Sequence, residues 1–240
     1  AELIGLPENF AYLGSDHGKV ALAEEVSSGS QGPILGTMRE LARKHRVTLV
    51  LGGMPEKSGS PDQIYNACVV LGPNGRLLAK YRKIHLFDVD LPQVQGGGPW
   101  KESETVIPGQ EAVTVDIPWG RVGLTVCYDL RFPELYRTLS SFGALAFFVP
   151  AAFTHFTGKD HWEALLRARA IENQAYVLAP AQVGKHSEGR DSWGHAMIVD
   201  PWGLKVASVE EGAGVAIADL DTEYIRRVRG SLPVLEHRRL

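Results

Sequence analysis

Apolar residues along this chain come in two rhythms. Short, mostly apolar runs occupy 48–51, 64–71, 121–126, 144–149 and 176–181, as expected of strands buried on both faces. Between them, apolar residues recur at helical spacing. Behind Pro33, which suits a first helical position, Ile34, Leu35, Met38, Leu41 and Ala42 fall on one face, with Arg39, Glu40, Arg43 and Lys44 between them. The same pattern predicts a helix opened by Pro133 and running to 142, and a strong amphipathic helix over 161–173.

Turn chemistry orders these pieces. An opening strand runs from the first residues to Leu6 and is stopped by Pro7. Gly52-Gly53 ends the strand over 48–51, and Gly72-Pro73-Asn74-Gly75 joins 64–71 to 77–82 as a hairpin. Residues 88–112 read as loop, with Pro92, Gly96-Gly97-Gly98-Pro99 and Pro108-Gly109. Strands over 196–199, 205–209 and 215–219 follow, the first two joined by a turn at Pro201-Trp202-Gly203. Hairpins mixed with βα crossovers predict an α/β fold of two sheet layers with helices outside. No repeat or linker divides it, so 1–240 is expected to form one domain.

Composition narrows the function classes. With 240 residues, 44% hydrophobic, the chain can bury a sizeable core, and its net charge of -3 exerts no general pull on nucleic acid or anionic membrane. Its longest apolar runs, such as 144–152, are too short to span a bilayer. Only two cysteines are present, so a reducing, cytoplasmic setting is expected. No His-Glu-x-x-His or Cys-x-x-Cys spacing occurs, so neither metal nor cofactor is expected.

One of those cysteines is a candidate nucleophile. Cys127 follows the strand Val122-Gly123-Leu124-Thr125-Val126 and precedes Tyr128-Asp129-Leu130-Arg131-Phe132-Pro133. A nucleophile at such a turn leaves the sheet edge near backbone N–H groups that can bind an oxyanion. Taken alone, a cysteine there reads equally as a small buried hydrophobe, and Cys68, inside an apolar strand, is read that way. Lys83 closes the strand in Lys80-Tyr81-Arg82-Lys83, and Glu8 follows Pro7 at the end of the opening strand. Singly, each reads as an exposed charge.

Together, and in order, Leu6-Pro7-Glu8, Tyr81-Arg82-Lys83-Ile84-His85 and Val126-Cys127-Tyr128-Asp129-Leu130-Arg131 resemble the Glu-Lys-Cys signature of the nitrilase superfamily. The likeness extends through Ile64-Tyr65-Asn66, His161-Trp162, Arg167-Ala168-Arg169-Ala170-Ile171-Glu172-Asn173 and Gly194-His195. It implies an α-β-β-α sandwich pairing into a four-layer homodimer or higher homo-oligomer. By it, Glu8 is the general base, Lys83 stabilises the tetrahedral intermediate and Cys127 attacks. A second catalytic glutamate falls at Glu102, with Glu104 the alternative. Relative to the family pattern, a strand and a helix before Leu6-Pro7-Glu8 are expected to be missing, and the chain is expected to stop slightly short at its end.

The implied substrate is a small carboxylate-bearing amide. Segments such as Leu165-Leu166-Arg167-Ala168-Arg169 resemble the deaminated glutathione amidase branch most, with the ω-amidase branch, acting on keto-acid amides, as runner-up. An acyltransferase or a non-catalytic scaffold stays open. Tyr128, Arg131, Phe153 and Thr154 are the expected substrate-binding residues. Arg131 is either a bidentate carboxylate clamp or a structural ion-pair partner of Asp129 or Glu134.

Overall fold

The structure, a computed structural model, describes residues 1–92, 98–186 and 189–239. Strands β1 (Leu3–Leu6), β2 (Thr48–Lys57), β3 (Ile64–Leu71) and β4 (Leu77–Arg82) form one sheet in that order. β1 runs parallel to β2, and the other pairs are antiparallel. A two-stranded ribbon of β5 (Asp88–Asp90) and β6 (Pro99–Lys101) follows. Next come β7 (Val113–Ile117), β8 (Gly120–Leu124), β9 (Ala146–Phe148) and β10 (Tyr176–Ala179), a second ribbon of β11 (Val183–Lys185) and β12 (Asp191–Trp193), then β13 (Met197–Val199) and β14 (Lys205–Ser208). The second sheet has the order β14-β13-β10-β9-β8-β7, parallel across β8-β9-β10 and antiparallel elsewhere.

Among the described residues five α-helices accompany them: α1 (Asp16–Ala21), α2 (Pro33–His45), α3 (Pro133–Ser141), α4 (His155–Asn173) and α5 (Thr222–Ser231). Strand alternation sorts the core into layers. Leu49, Leu51, Ala67, Val69 and Leu71 pack with Leu35 and Ala42 of α2. Their neighbours Val50, Cys68 and Val70 point the other way and join the second sheet's Val122, Leu124 and Phe148. Beyond that sheet, Leu135 and Leu139 of α3 and Trp162 and Leu166 of α4 close the same core. The layering is therefore α-β-β-α, as expected from the sequence.

The differences in element bounds have local causes. β2 does not stop at Gly52-Gly53 but runs through them, the register shifting between Leu51 and Met54. Gly53 takes a φ of +64°, so the pair makes a bulge rather than a terminus. α4 starts at His155, six residues before the expected helix, because its polar first turns pack on β12: a Cβ at Gly158 would meet the Trp193 ring. Residues 215–219 form no strand, and Val215 and Ile217 are 81% and 74% exposed. Part of the expected 88–112 loop is the β5–β6 ribbon, while Gly96-Gly97 lies outside the described residues.

The sheets meet at very short range near the end of β1 and the bulge of β2. A Cβ on Gly5 would lie 2.8 Å from Phe148 Cε1, and one on Gly52 would collide with Pro150 Cβ and the Leu6 carbonyl. Gly52→Ala should therefore cost about 1–3 kcal/mol by overpacking. Gly36→Ala, within α2 and with its nearest atom at an ordinary 3.5 Å, should gain about 0.5–1 kcal/mol from helix propensity. Urea unfolding of both variants checks the opposite signs.

Candidate active site

Three strand ends converge at the seam between the sheets. Pro7 stops β1 and turns Glu8 inward, where it is 4% exposed. Glu8 Oε1 accepts hydrogen bonds from Lys83 Nζ (3.1 Å) and Asn66 Nδ2 (2.9 Å), and Oε2 accepts one from the Ala152 N–H (3.0 Å). Gln182 Nε2 donates to the Glu8 carbonyl at 3.0 Å. Both sheets thus hold this one residue.

Lys83 follows β4 and is 2% exposed. Its ammonium also donates to Glu102 Oε1 (3.0 Å) and Oε2 (2.8 Å). Burial by itself would lower the Lys83 pKa, but the Glu102 and Glu8 carboxylates override it and hold the ammonium well above its ordinary value. Glu102 stands in a 3-10 turn, Glu102–Glu104, and is tied further by the Phe87 N–H at 2.8 Å. Glu104, two residues on, is exposed. The geometry therefore brings Glu102, and not Glu104, to the lysine.

Cys127 opens the 3-10 turn Cys127–Arg131 after β8, with φ +50° and 8% exposure. Its N–H donates to the Pro150 carbonyl at 2.9 Å. Burial, then the Glu8 charge, push its thiol well above the ordinary value, and Lys83 offsets them only in part. For Glu8, burial raises the carboxyl, but Lys83 and a hydrogen bond from Cys127 outweigh it and hold the group below its ordinary range. At rest the proton is on sulfur and the charge on Glu8. Cys68, fully buried in β3 and pushed up by burial, lies in the core.

The turn is pinned by a residue whose role the sequence did not reveal. Asp129, fully buried, accepts from the Tyr81 hydroxyl (2.6 Å), the Val126 N–H (2.8 Å) and the His85 N–H (3.1 Å), with His85 Nδ1 at 2.7 Å. His85 in turn stacks on Phe132, ring centroids 3.7 Å apart. Asn66 is the other residue of this kind. A polar side chain inside an apolar strand was its signal, and its Nδ2 bridges Glu8 and, at 3.3 Å, Glu102.

These groups open on a cavity of about 100 Å³. Glu8, Lys83, Glu102, Cys127, Tyr128, Phe153 and Thr154 all line it, together with Lys19, Phe87, Trp100, Lys101, His186, Arg190 and Asp191. Arg131 is not among the lining residues described. Its guanidinium lies 5.0 Å from the Phe153 ring centroid and 5.9 Å from that of Tyr128, both lining residues, with Nη1 3.3 Å from His161 Nδ1. Neither Asp129 nor Glu134 forms an ion pair with it among the described contacts. No group of three or more His, Cys, Asp or Glu among the described residues could hold a metal ion. No helix of the described residues is long and apolar enough to cross a membrane.

A thiol at a sheet-edge turn, beside a buried carboxylate and a buried ammonium, defines a cysteine-dependent hydrolase in an α-β-β-α sandwich. The carbon-nitrogen hydrolase family model matches residues 1–230, and the chain belongs to that family, within the nitrilase superfamily: an amidase acting on carbon–nitrogen bonds other than peptide bonds. Deaminated glutathione amidase of Synechocystis sp. is 48% identical over 241 residues, 99% of this chain and 86% of that one. The C. elegans NitFhit protein superposes with a TM-score of 0.90 at 41% identity, covering all of this chain and 57% of that one. Saccharomyces cerevisiae Nit3, of branch 10 of the superfamily, superposes with a TM-score of 0.86 at 33% identity, covering 100% and 84%.

Because Asp129 is buried with four donor contacts, Asp129→Asn replaces a charge-assisted acceptor with an amide that must turn its own N–H₂ toward donors. A loss of about 1–3 kcal/mol is expected, read as a lower urea midpoint at unchanged slope.

Proposed function

We propose that the chain hydrolyses the amide of deaminated glutathione through a thioester on Cys127, with Glu8 as general base and Lys83 as oxyanion partner. The observation that carries this reading is the buried Glu8–Lys83–Glu102 arrangement at the cavity wall that also exposes Cys127. The substrate class follows the Synechocystis relative.

Sulfur attacks the amide carbon as its proton passes to Glu8, forming the S–C bond. The oxyanion is met by the Lys83 ammonium and by the Tyr128 N–H, one of the donors at the start of a 3-10 turn that have no acceptor within it. Glu8 returns the proton to nitrogen, the C–N bond breaks and the amine leaves. Water then gives a proton to Glu8 as it attacks the thioester, and sulfur leaves to recover its hydrogen. Glu102 holds Lys83 at the height the oxyanion needs. Each oxyanion donor of this kind contributes about 10²–10³ in kcat. Arg131, whose guanidinium sits over the Phe153 and Tyr128 rings, backs the substrate wall with a positive charge.

We further infer that residues 1–240 act as one domain, in a reducing compartment such as the cytoplasm, where the two free thiols persist. A homodimer or higher homo-oligomer would cover exposed apolar side chains such as Phe142, Trp202 and Leu204.

Two outcomes test the chemistry. Cys127→Ala should lower turnover of deaminated glutathione by about 10⁴-fold or more with the fold intact, while Cys68→Ala stays within a few-fold; an active Cys127→Ala protein would sink the mechanism. The pH profile is the second. Glu8 serves as base only when ionised, so activity falls as pH drops through its pKa, which lies below the ordinary carboxylate range. The thiol is held up, so no thiolate forms near neutrality. The kcat/KM for the amide should be flat from about pH 6 to 8. A rise across that window would mean a preformed thiolate attacks.

A further inference from the structure

Buried polar atoms in folded proteins almost always have partners, and each exception needs a reason. Among the described residues, seven buried side-chain nitrogen or oxygen atoms have none. Four of them belong to Arg39, His155, Asn173 and Gln174, which do not line the active-site cavity, and a fifth is the Oδ1 of Asn66, whose Nδ2 bridges Glu8 and Glu102. The other two, Trp100 Nε1 and His186 Nε2, belong to residues that line it. An indole N–H can only donate, so it requires an acceptor. The described residues supply none.

The two side chains stand on separate ribbons at the cavity wall. Trp100 is the middle residue of β6, and His186 follows β11. Arg190 ties them together: its carbonyl accepts the His186 N–H at 2.7 Å, and its guanidinium lies 4.9 Å from the Trp100 ring centroid. The Arg190 side chain also donates to the Gly14 carbonyl at 3.2 Å. Ring contacts lead from here to the nucleophile: Trp100 meets Phe87 at 5.9 Å, and Phe87 meets Tyr128, next to Cys127, at 5.1 Å.

Charge at this wall favours an anion. The Lys83 ammonium is already held by Glu8 and Glu102. Across the whole lining four cations, Lys19, Lys83, Lys101 and Arg190, stand with three carboxylates, Glu8, Glu102 and Asp191, and Lys19 and Arg190 have partners of their own, so the margin is a single positive charge.

We propose that Trp100 and His186 form a carboxylate-binding subsite that selects carboxylate-bearing amides, Trp100 Nε1–H and His186 Nε2–H each donating to the carboxylate. This rests on the proposed amide hydrolysis and deepens it. Charge-assisted bonds of this type are the strong ones, and in the free protein both nitrogens, the indole one an obligate donor, lack a partner among the described residues. The carboxylate is either that of the acyl part or that of the amine part of the substrate.

The test measures binding on the full chain with Cys127→Ala as background, so that nothing turns over. Three probes are compared: glutarate, with a second carboxylate on the acyl side; N-pentanoylglycine, with one on the amine side; and pentanamide, with none. Adding Trp100→Phe, which keeps an aromatic ring and removes the N–H, should weaken one or both carboxylate probes by about 10- to 100-fold. Pentanamide should stay within twofold. His186→Phe should act in the same direction, and the probe that weakens identifies the side. Trp100→Phe should leave Tm unchanged or higher, because an unpartnered buried donor has been removed. Equal weakening of all three probes, no weakening of either carboxylate probe, or a fall in Tm would each overturn the subsite. The proposed hydrolysis is tested separately, by turnover of deaminated glutathione on the Cys127-containing enzyme. Its failure there would leave the binding result readable on its own.

Discussion

The active site depends on one buried ammonium. Lys83, 2% exposed, would lose its charge in an apolar interior without partners. Glu8 and Glu102 keep it charged, and it holds Glu8 ionised in turn. Two carboxylates and one ammonium leave one net negative charge in the seam. Asn66 answers this with a neutral donor shared between the Oε1 atoms of both glutamates. The same balance fixes the state of the nucleophile. Burial first, and then the Glu8 charge beside it, oppose a Cys127 thiolate, so the proton stays on sulfur until attack. Coupled proton transfer to Glu8 is therefore a consequence of the electrostatics that hold Lys83.

That group is assembled across two sheets. Glu8, Lys83 and Asn66 come from the four-stranded sheet, and Cys127 from the six-stranded one. The Ala152 N–H and Gln182 amide reach over from the second sheet to Glu8. Their distance from one another is set by side chains with no chemistry, chiefly Phe148 against Gly5 and Pro150 against Gly52. Misplacement of reacting groups by 1 Å can cost about 10²-fold in rate. Packing at the seam is thus a catalytic parameter as well as a stability term.

What the sequence made legible follows the same division. Glu8, Lys83 and Cys127 stand at strand ends, where a proline, a charge or a turn interrupts an apolar run, so local pattern and order reveal them. The layering was legible too, because alternation within β2 and β3 sorts residues between two cores. Features set by partners far along the chain were not. Glu8 meets Ala152 across 144 positions, and Tyr81 meets Asp129 across 48. No periodicity encodes such pairs. Arg131 was legible only as a nearby charge: its guanidinium sits over the rings of both Phe153 and Tyr128, at 5.0 and 5.9 Å from their centroids, contacts that no local pattern announces. The stretch over 215–219 shows the converse error, since an apolar run becomes a strand only where a neighbouring edge takes its hydrogen bonds.

The two cysteines show what the backbone adds to side-chain identity. Five non-glycine residues adopt left-handed φ among those described. Arg46 and Gln174 cap the ends of α2 and α4, where that conformation is an ordinary helix stop. Asn9 and Cys127 instead line the cavity, and His195 stacks on Trp193, ring centroids 4.0 Å apart. A non-glycine residue in this region costs roughly 1–2 kcal/mol, so it persists only where neighbours hold it. At Cys127 the Pro150 carbonyl and the Asp129 carboxylate do so from either side of the turn. Cys68 lies in regular β3, where pleating directs alternate side chains into the core, and its sulfur is fully buried there. An extended backbone at Cys127 would continue that alternation. The left-handed turn breaks it, and the sulfur faces the cavity instead of the next layer of the core.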